Sequence, residues 1–398
     1  MDTQEPIYKC DEMMTIVSIL KLCYRSIALA RKYPVNLHRR FEIFVDYIKL
    51  YKTKGLDPDE YYDFRFDQRS EEFRNTFLGL NEQRYYLDLL NPKKYYILAR
   101  NKFVAHKMLE NTSVRKSNLY AYYQPEGRVL NSEVIANDTL GVYRILKAKS
   151  VESCVIKTTE SSHGDNVWVI KQISYEENDA WLLRYDNKRI KLSELLNNDP
   201  LIFESLVRQT QQLSDFNESS VNTIRFMTAL YPNGNAKIIG TFMKIGRSGK
   251  CVDNAGAGGN VDVCIDTDTG EIKYAIQFDG WKKIKDIDKH PDNGTQLNGV
   301  VIDNWERIKS EVIKFQQAFP YCKVAGWDIA ITDQGPLVIE VNDFWDRTGQ
   351  YFIRKGWRNE IRDCFLAWEK EDRDYSMYRQ MNKLSLQHLK KIASHEQI

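Results

Sequence analysis

Apolar and polar positions change rhythm along the chain. Over the first ninety or so residues the apolar side chains recur at helical spacing among bases and aromatics, as in "LHRRFEIFVDYIKLYKTKG", with Gly55 ending one helix and "DPDEYY" opening the next. Thereafter short β-like runs alternate with helices. "CVIKTT" and "VWVIKQISY" flank a polar loop, "WLLRY" and "KRIKL" flank the turn pair Asp186 and Asn187, and "VNTIRFMTALY" and "AKIIGTFMKIG" flank "PNGN". A later helix, "DNWERIKSEVIKFQQAF", sets Trp305, Ile308, Val312 and Phe315 on one stripe with Asp303 as its expected N-cap. The sum is an α+β chain: antiparallel strands behind an N-terminal helical region.

One stretch breaks its own rhythm. "WDIAITDQGPLVIEVND" reads as a hairpin with Asp333, Gln334 and Gly335 as a three-residue turn. If Thr332 faces Pro336, then Asp328 faces Glu340. Side chains alternate along a strand, so Asp328, Glu340 and Asn342 share one face while Ile329, Ile331, Ile339 and Val341 share the other. Two opposed acids repel unless a hard cation lies between them, and carboxylate and amide oxygens are the donors Mg²⁺ prefers. The simpler alternative is an edge hairpin with a wet polar face.

Bulk properties narrow the classes. A chain of 398 residues has room for two or three domains. Its formal net charge is only +2, which implies no general grip on nucleic acid or an anionic membrane but leaves room for a local basic patch. The seven cysteines show no CxxC spacing, against a disulfide framework or structural zinc. The apolar run "TIVSILKLCYRSIALARKY" is broken by Lys21 and Arg25; it reads as a packing helix, neither signal peptide nor membrane span, and the expected location is the cytoplasm.

Two loops carry candidate ligand chemistry. In "VIKTTESSHGDNVWVIK" a strand ending at Lys157 runs into small residues, with Ser162 and Gly164 leaving backbone N–H groups open to an anion. In "RSGKCVDNAGAGGNVDV", Gly256, Gly258 and Gly259 let the chain approach a ligand, Arg247 and Lys250 add charge, and Asn254 offers donor and acceptor. This stretch lacks the strand-to-helix setting of a dinucleotide fingerprint. Each loop reads equally as an ordinary polar turn. Arg225, on the same strand face as Thr223, could hold a carboxylate or phosphate or be a solvated edge charge.

Taken together, Lys102, Lys157 with its loop, "SVNTIRFMTAL", "FMKIGRSGKCVDNAGAGGNV", "HPDNGTQLNG" and the D…E-x-N hairpin resemble the ATP-grasp fold, and more closely its sugar-transfer associated family. The resemblance extends over roughly residues 102 to 350. It implies two α+β subdomains that sandwich ATP: a helical region over residues 1–95, a lid with the phosphate loop over 96–205, a large subdomain over 206–368, and a charged helical tail over 369–398. Lys102 and Lys157 match the phosphate lysines. Ser162, Gly164 and Asn254 join them as nucleotide contacts. Residues 201 to 207 match the adenine hinge, with Glu204 as its acid. Asp328, Glu340 and Asn342 match the ligands of two Mg²⁺ ions, with Glu340 bridging. Many members carry an arginine two residues before the aspartate, where this chain has Gly326. The charge that stabilises the transferring phosphoryl group is then expected from Arg225, with Lys244 or Arg247 behind it.

The chemistry so implied is ATP-dependent ligation of a carboxylate to an amine through an acylphosphate, joining an amino acid or similar molecule to a uronic acid or amino sugar in polysaccharide synthesis. The expected substrates are a small molecule or saccharide and an amine, with neither nucleic acid nor an integral membrane segment as partner. The alternatives are an ATP-grasp kinase acting on a sugar hydroxyl, a Mg²⁺-dependent nuclease of the D…E-x-K type, in which Asn342 stands where the lysine would be, and a non-catalytic nucleotide or sugar binder.

Overall fold

The computed structural model describes residues 16–31, 35–126, 132–160, 166–251, 253, 259–278 and 284–371. The chain falls into two compact units, one of residues 1–93, 229–236 and 355–398, the other of residues 94–228 and 237–354.

The first unit is helical. Its helices Ile16–Ala30, Leu37–Lys54, Pro58–Asp63, Glu71–Thr76 and Leu80–Leu90 are joined by Arg358–Glu371. The expected boundaries hold at Gly55, left-handed at φ 63° behind Leu37–Lys54, and at Asp57, whose side chain forms a capping box with Glu60. The basic-aromatic composition becomes an aromatic core. Tyr47 meets Tyr61 edge-on at 5.5 Å, and Phe66 meets Phe77 at 5.0 Å. Glu82 lies fully buried beside Tyr86, whose ring meets Phe365 at 5.0 Å, and accepts from Arg358 Nε at 2.7 Å and from the Tyr86 hydroxyl at 2.8 Å.

The second unit is built on two seven-stranded sheets. The first comprises β1 (Leu119–Tyr123), β2 (Ile135–Ala136), β3 (Cys154–Thr158), β4 (Val167–Tyr175), β5 (Ala180–Arg184), β6 (Arg189–Lys191) and β7 (Leu201–Glu204), in the order β2-β1-β7-β3-β4-β5-β6. The second comprises β8 (Thr223–Leu230), β9 (Ala236–Ile245), β10 (Val261–Ile265), β11 (Ile272–Phe278), β12 (Ile284–Ile287), β13 (Val324–Thr332) and β14 (Gly335–Asn342), in the order β12-β11-β10-β9-β8-β13-β14. Each sheet has its own core. Val142 and Leu146, from the helix Thr139–Ala148, pack with Ile156, Ile170 and Phe203 of the first sheet. Trp305, Ile308, Val312 and Phe315, the expected stripe of the helix Trp305–Ala318, pack with Phe226, Val263 and Ile329 of the second. That helix is entered through Asn304 at φ 58°, not through Asp303, and Asn304 makes no side-chain cap.

The hairpin of β13 and β14 differs from the simplest reading in one informative way. Thr332 faces Gly335, so the turn has two residues, Asp333 and Gln334, and Gly335 takes φ 117° beside it. A β-bulge at Ile339 then adds the residue that the turn gave up, and Asp328 still faces Glu340. The bulge resets the alternation. Val338 and Val341 enter the core, whereas Ile339, expected there, is half-buried and lines the cavity described below. No helix among the described residues is long and apolar enough to cross a membrane.

Candidate active site

A cavity of about 1440 Å³ opens within the second unit, lined by residues of both sheets, and it exceeds the roughly 300–1,000 Å³ of ordinary small-molecule pockets. The strands aim their polar faces into it. From β13 and β14 come Asp328, Glu340 and Asn342, from β8 and β9 Arg225 and Lys244, from β3 and β7 Lys157 and Glu204, and from the helix Lys102–Met108 its first residue.

The charges interlock. Arg225 grips Asp328 with Nε to Oδ1 at 2.7 Å and Nη2 to Oδ2 at 2.9 Å, and Lys244 Nζ lies 2.9 Å from the same Oδ1. Asp328 is 4% exposed, and burial alone would raise its pKa; the two cations outweigh that and hold the carboxyl well below the usual range. Asn342 Nδ2 donates to the Gly326 carbonyl at 3.3 Å and reaches Asp328 Oδ2 at 3.5 Å. Across the cavity Lys157 Nζ pairs with Glu204 Oε2 at 2.9 Å, while the Ser117 hydroxyl donates to Oε1 at 2.8 Å. Burial pushes Glu204 up as well, and Lys157 and Ser117 carry it below its ordinary value. Lys102 stands 3.6 Å from Glu340 Oε1, between the two clusters; burial lowers its pKa and Glu340 opposes that.

Gly326 accounts for Arg225. A Cβ on Gly326 would lie 3.1 Å from Trp345 Cβ, 3.2 Å from Arg225 Nη1 and 3.3 Å from Arg225 Cδ. The adjacent strand β8 thus fills the space that a side chain at position 326 would need, and delivers a guanidinium to it.

Arg247 stands apart from this assembly. It pairs with Asp292, with Nε to Oδ2 at 2.9 Å, donates to the Gly259 carbonyl at 3.0 Å, and does not line the cavity. Ser162, Gly164, Asn254, Gly256 and Gly258 lie outside the described residues, as does the chain beyond residue 371.

Two further residues line the cavity without a motif to mark them in the sequence. Asp253 Oδ2 accepts from both the backbone N–H of Thr223, at 2.8 Å, and its hydroxyl, at 2.5 Å, so it ties the start of the glycine-rich segment to β8; burial raises its pKa against the pull of Lys244. Arg100, stacked 3.8 Å from the Tyr96 ring centroid, clamps Asp343 with Nε to Oδ1 at 2.9 Å and Nη2 to Oδ2 at 2.8 Å. Asp343 directly follows the E-x-N triplet and Arg100 precedes Lys102 by two, so adjacency to those motifs is the one signal the sequence offers for them.

No curated protein matches the chain. Among solved structures it is similar to N5-carboxyaminoimidazole ribonucleotide synthetase from Thermotoga maritima (12% identity, 70% of this chain and 52% of that one, TM-score 0.38). It is also similar to a biotin carboxylase from Campylobacter jejuni solved with β,γ-ATP (9%, 68% and 46%, TM-score 0.40) and to the D-Ala:D-Ser ligase VanG from Enterococcus faecalis (10%, 68% and 62%, TM-score 0.38). The chain spans about half the length of the first two and less than two thirds of the third. The family described as "Sugar-transfer associated ATP-grasp" matches residues 81–363, which take in both sheets and every cavity residue named above, and the chain belongs to that family.

Proposed function

We propose that the protein is an ATP-dependent ligase that activates a carboxylate as an acylphosphate and passes the acyl group to an amine, the acid or the amine being borne by a sugar. The observation that carries this reading is the convergence of Lys102, Lys157, Arg225 and Lys244 with Asp328, Glu340 and Asn342 on one cavity of ample size.

The donor set fits Mg²⁺. Asp328, Glu340 and Asn342 offer hard oxygen ligands from one hairpin face. Their present partners fit as well, because a ligand exchange would balance: carboxylates that now neutralise Lys102, Arg225 and Lys244 would turn to the metal as those cations turn to phosphate oxygens. When bound, Mg²⁺ would neutralise phosphate charge and so favour attack at the γ-phosphorus.

The chain's own residues do the rest by position and charge. Lys102 and Lys157 hold the phosphates, with Ser162, Gly164 and Asn254 completing the nucleotide contacts. Glu204 keeps the Lys157 ammonium in place through its 2.9 Å contact. Arg225, backed by Lys244, faces the phosphoryl group in transfer and supplies the charge that Gly326 does not. A substrate carboxylate oxygen then bonds to the γ-phosphorus as the bond to ADP breaks; the amine attacks the acyl carbon, phosphate leaves, and the amine sheds a proton. Residues 96–205 act as the lid that keeps water from the acylphosphate.

The test is a calorimetric titration of ATP with and without Mg²⁺, followed by turnover with uronic acids in the presence of hydroxylamine. Mg²⁺-dependent binding and a hydroxamate product support the ligase. A stable phosphate ester would make the protein a kinase, and no nucleotide binding under either condition would remove the assignment altogether.

A further inference from the structure

Six of the ten exposed large apolar side chains among the described residues lie on the first two helices. They are Leu20, Tyr24 and Ile27 on Ile16–Ala30, and Leu37, Phe41 and Val45 on Leu37–Lys54. Their spacing is not random. Positions 20, 24 and 27, and positions 37, 41, 44 and 48 with half-buried Phe44 and Ile48, each trace one stripe of a helix. These stripes are additional to the ones that hold the unit together. The helices pack on each other and on Pro58–Asp63 through Ser26, Leu29 and Ala30 on one side and Ile43, Tyr47 and Leu50 on the other. Each helix therefore carries two apolar faces, of which one faces solvent, and clustered exposure of this kind marks an interaction surface.

Charge decides what that surface fits. Between them the helices Ile16–Ala30 and Leu37–Lys54 hold seven Lys and Arg against two acids, whereas the whole chain nets only +2. Ile16–Ala30 contains no acid at all. The two acids of Leu37–Lys54 are engaged within the protein: Glu42 with Arg39 at 2.9 Å, and Asp46 with the Tyr61 hydroxyl at 2.7 Å and Arg74 at 2.5 Å. Arg25 is taken up by Asp59, while Lys21, Lys49 and Lys52 are exposed.

We propose that this face docks on an anionic phospholipid surface, its Leu, Ile, Phe and Tyr side chains entering the headgroup boundary and its lysines meeting lipid phosphates. Apolar and aromatic groups flanked by bases on helices that cannot span a bilayer are the composition of an interfacial anchor. A second copy of the chain is the poorer occupant, since its own lysines would be brought against these. The inference is independent of the ligase reading, which concerns the other unit.

The experiment is flotation of the full chain with phosphatidylcholine vesicles, with and without phosphatidylglycerol, at low and high salt. Wild type is expected to float only with the anionic vesicles and to be released by salt. The pairs Leu37→Gln with Phe41→Gln, and Lys49→Glu with Lys52→Glu, each change exposed positions, so circular dichroism should stay unaltered while binding falls on the order of tenfold. Failure to float with anionic vesicles, or flotation that neither pair weakens, overturns the proposal. A dimer that the Phe41→Gln pair dissociates, without vesicle binding, also overturns it and assigns the face to a second copy.

Discussion

Arg225 lays its guanidinium along both oxygens of Asp328, Nε to Oδ1 at 2.7 Å and Nη2 to Oδ2 at 2.9 Å. A bidentate pair of this kind is fixed in angle as well as distance, and Lys244 adds a second positive charge at 2.9 Å. The carboxylate is thereby kept ionised despite near-complete burial, which is the state a cation ligand requires.

Because Arg225 occupies the space in front of Gly326, the two positions should behave as one. Gly326→Arg alone drives a side chain into Arg225 and Trp345 and should lower stability by roughly 1–3 kcal/mol, seen as an earlier thermal transition. Arg225→Gly leaves buried Asp328 with Lys244 as its remaining cation and should cost about 3 kcal/mol of stability, and the folded protein should lose turnover. Combining the two should recover part of that turnover, because the guanidinium returns from the neighbouring strand. A double variant no better than Arg225→Gly would mean that the shared space has no functional meaning.

Glu204 makes an acid-sensitive contribution. Its pKa is depressed in the folded state, so the stability it adds is complete above the unfolded carboxyl value of about 4.3 and is lost as pH falls through the lower folded value. Glu204→Gln leaves the Lys157 ammonium, itself largely buried, without its counter-charge and should cost about 3 kcal/mol near neutrality. Denaturation curves taken from pH 7 downwards should show that gap closing below roughly pH 4. A gap of constant size across the series would rule the ion pair out as its source.

In the helical unit Glu82 and Arg358 form a pair that neither partner can leave. Glu82 is fully buried with Arg358 Nε at 2.7 Å, so Glu82→Ala strands a guanidinium in an aromatic core and should destabilise by about 3–5 kcal/mol. Replacing both, Glu82→Leu with Arg358→Met, should cost less than the sum of the single changes. Strict additivity in that double-mutant cycle would refute the coupling.

The sequence made the site legible wherever pairing rules apply. Asp328 opposite Glu340 follows from strand alternation and survives an error in the turn, because the bulge at Ile339 restores the residue that the tighter turn removes. What alternation cannot reveal is which cation meets which acid. That Arg225 faces Asp328, 103 positions away, and that Lys157 faces Glu204 depends on the order of strands in each sheet. The packing of Arg358–Glu371 with helices some 270 residues earlier is hidden for the same reason. Arg247 carries its charge beside a glycine-rich run, but Asp292, far along the chain, claims that charge. The second apolar stripes on the first two helices were written in the spacing of Leu37, Phe41, Phe44 and Ile48, but only burial separates an inward face from an outward one.

Lys102 and Glu340 give the sharpest prediction, because its sign reverses with the metal. The ammonium lies 3.6 Å from Glu340 Oε1, so the same carboxylate that would hold Mg²⁺ also competes with phosphate for Lys102. Glu340→Gln removes that competition and one negative charge from the phosphate site. In the absence of Mg²⁺ the variant should bind ATP more tightly than wild type, on the order of fivefold for a charge change at this range in a partly screened cavity. With Mg²⁺ present the order should invert, since a carboxylate ligand is missing. Calorimetry of both proteins under both conditions yields four affinities, and the crossing pattern is what matters. If Glu340→Gln weakens ATP binding equally with and without Mg²⁺, Glu340 is a structural partner of Lys102 and not a metal ligand.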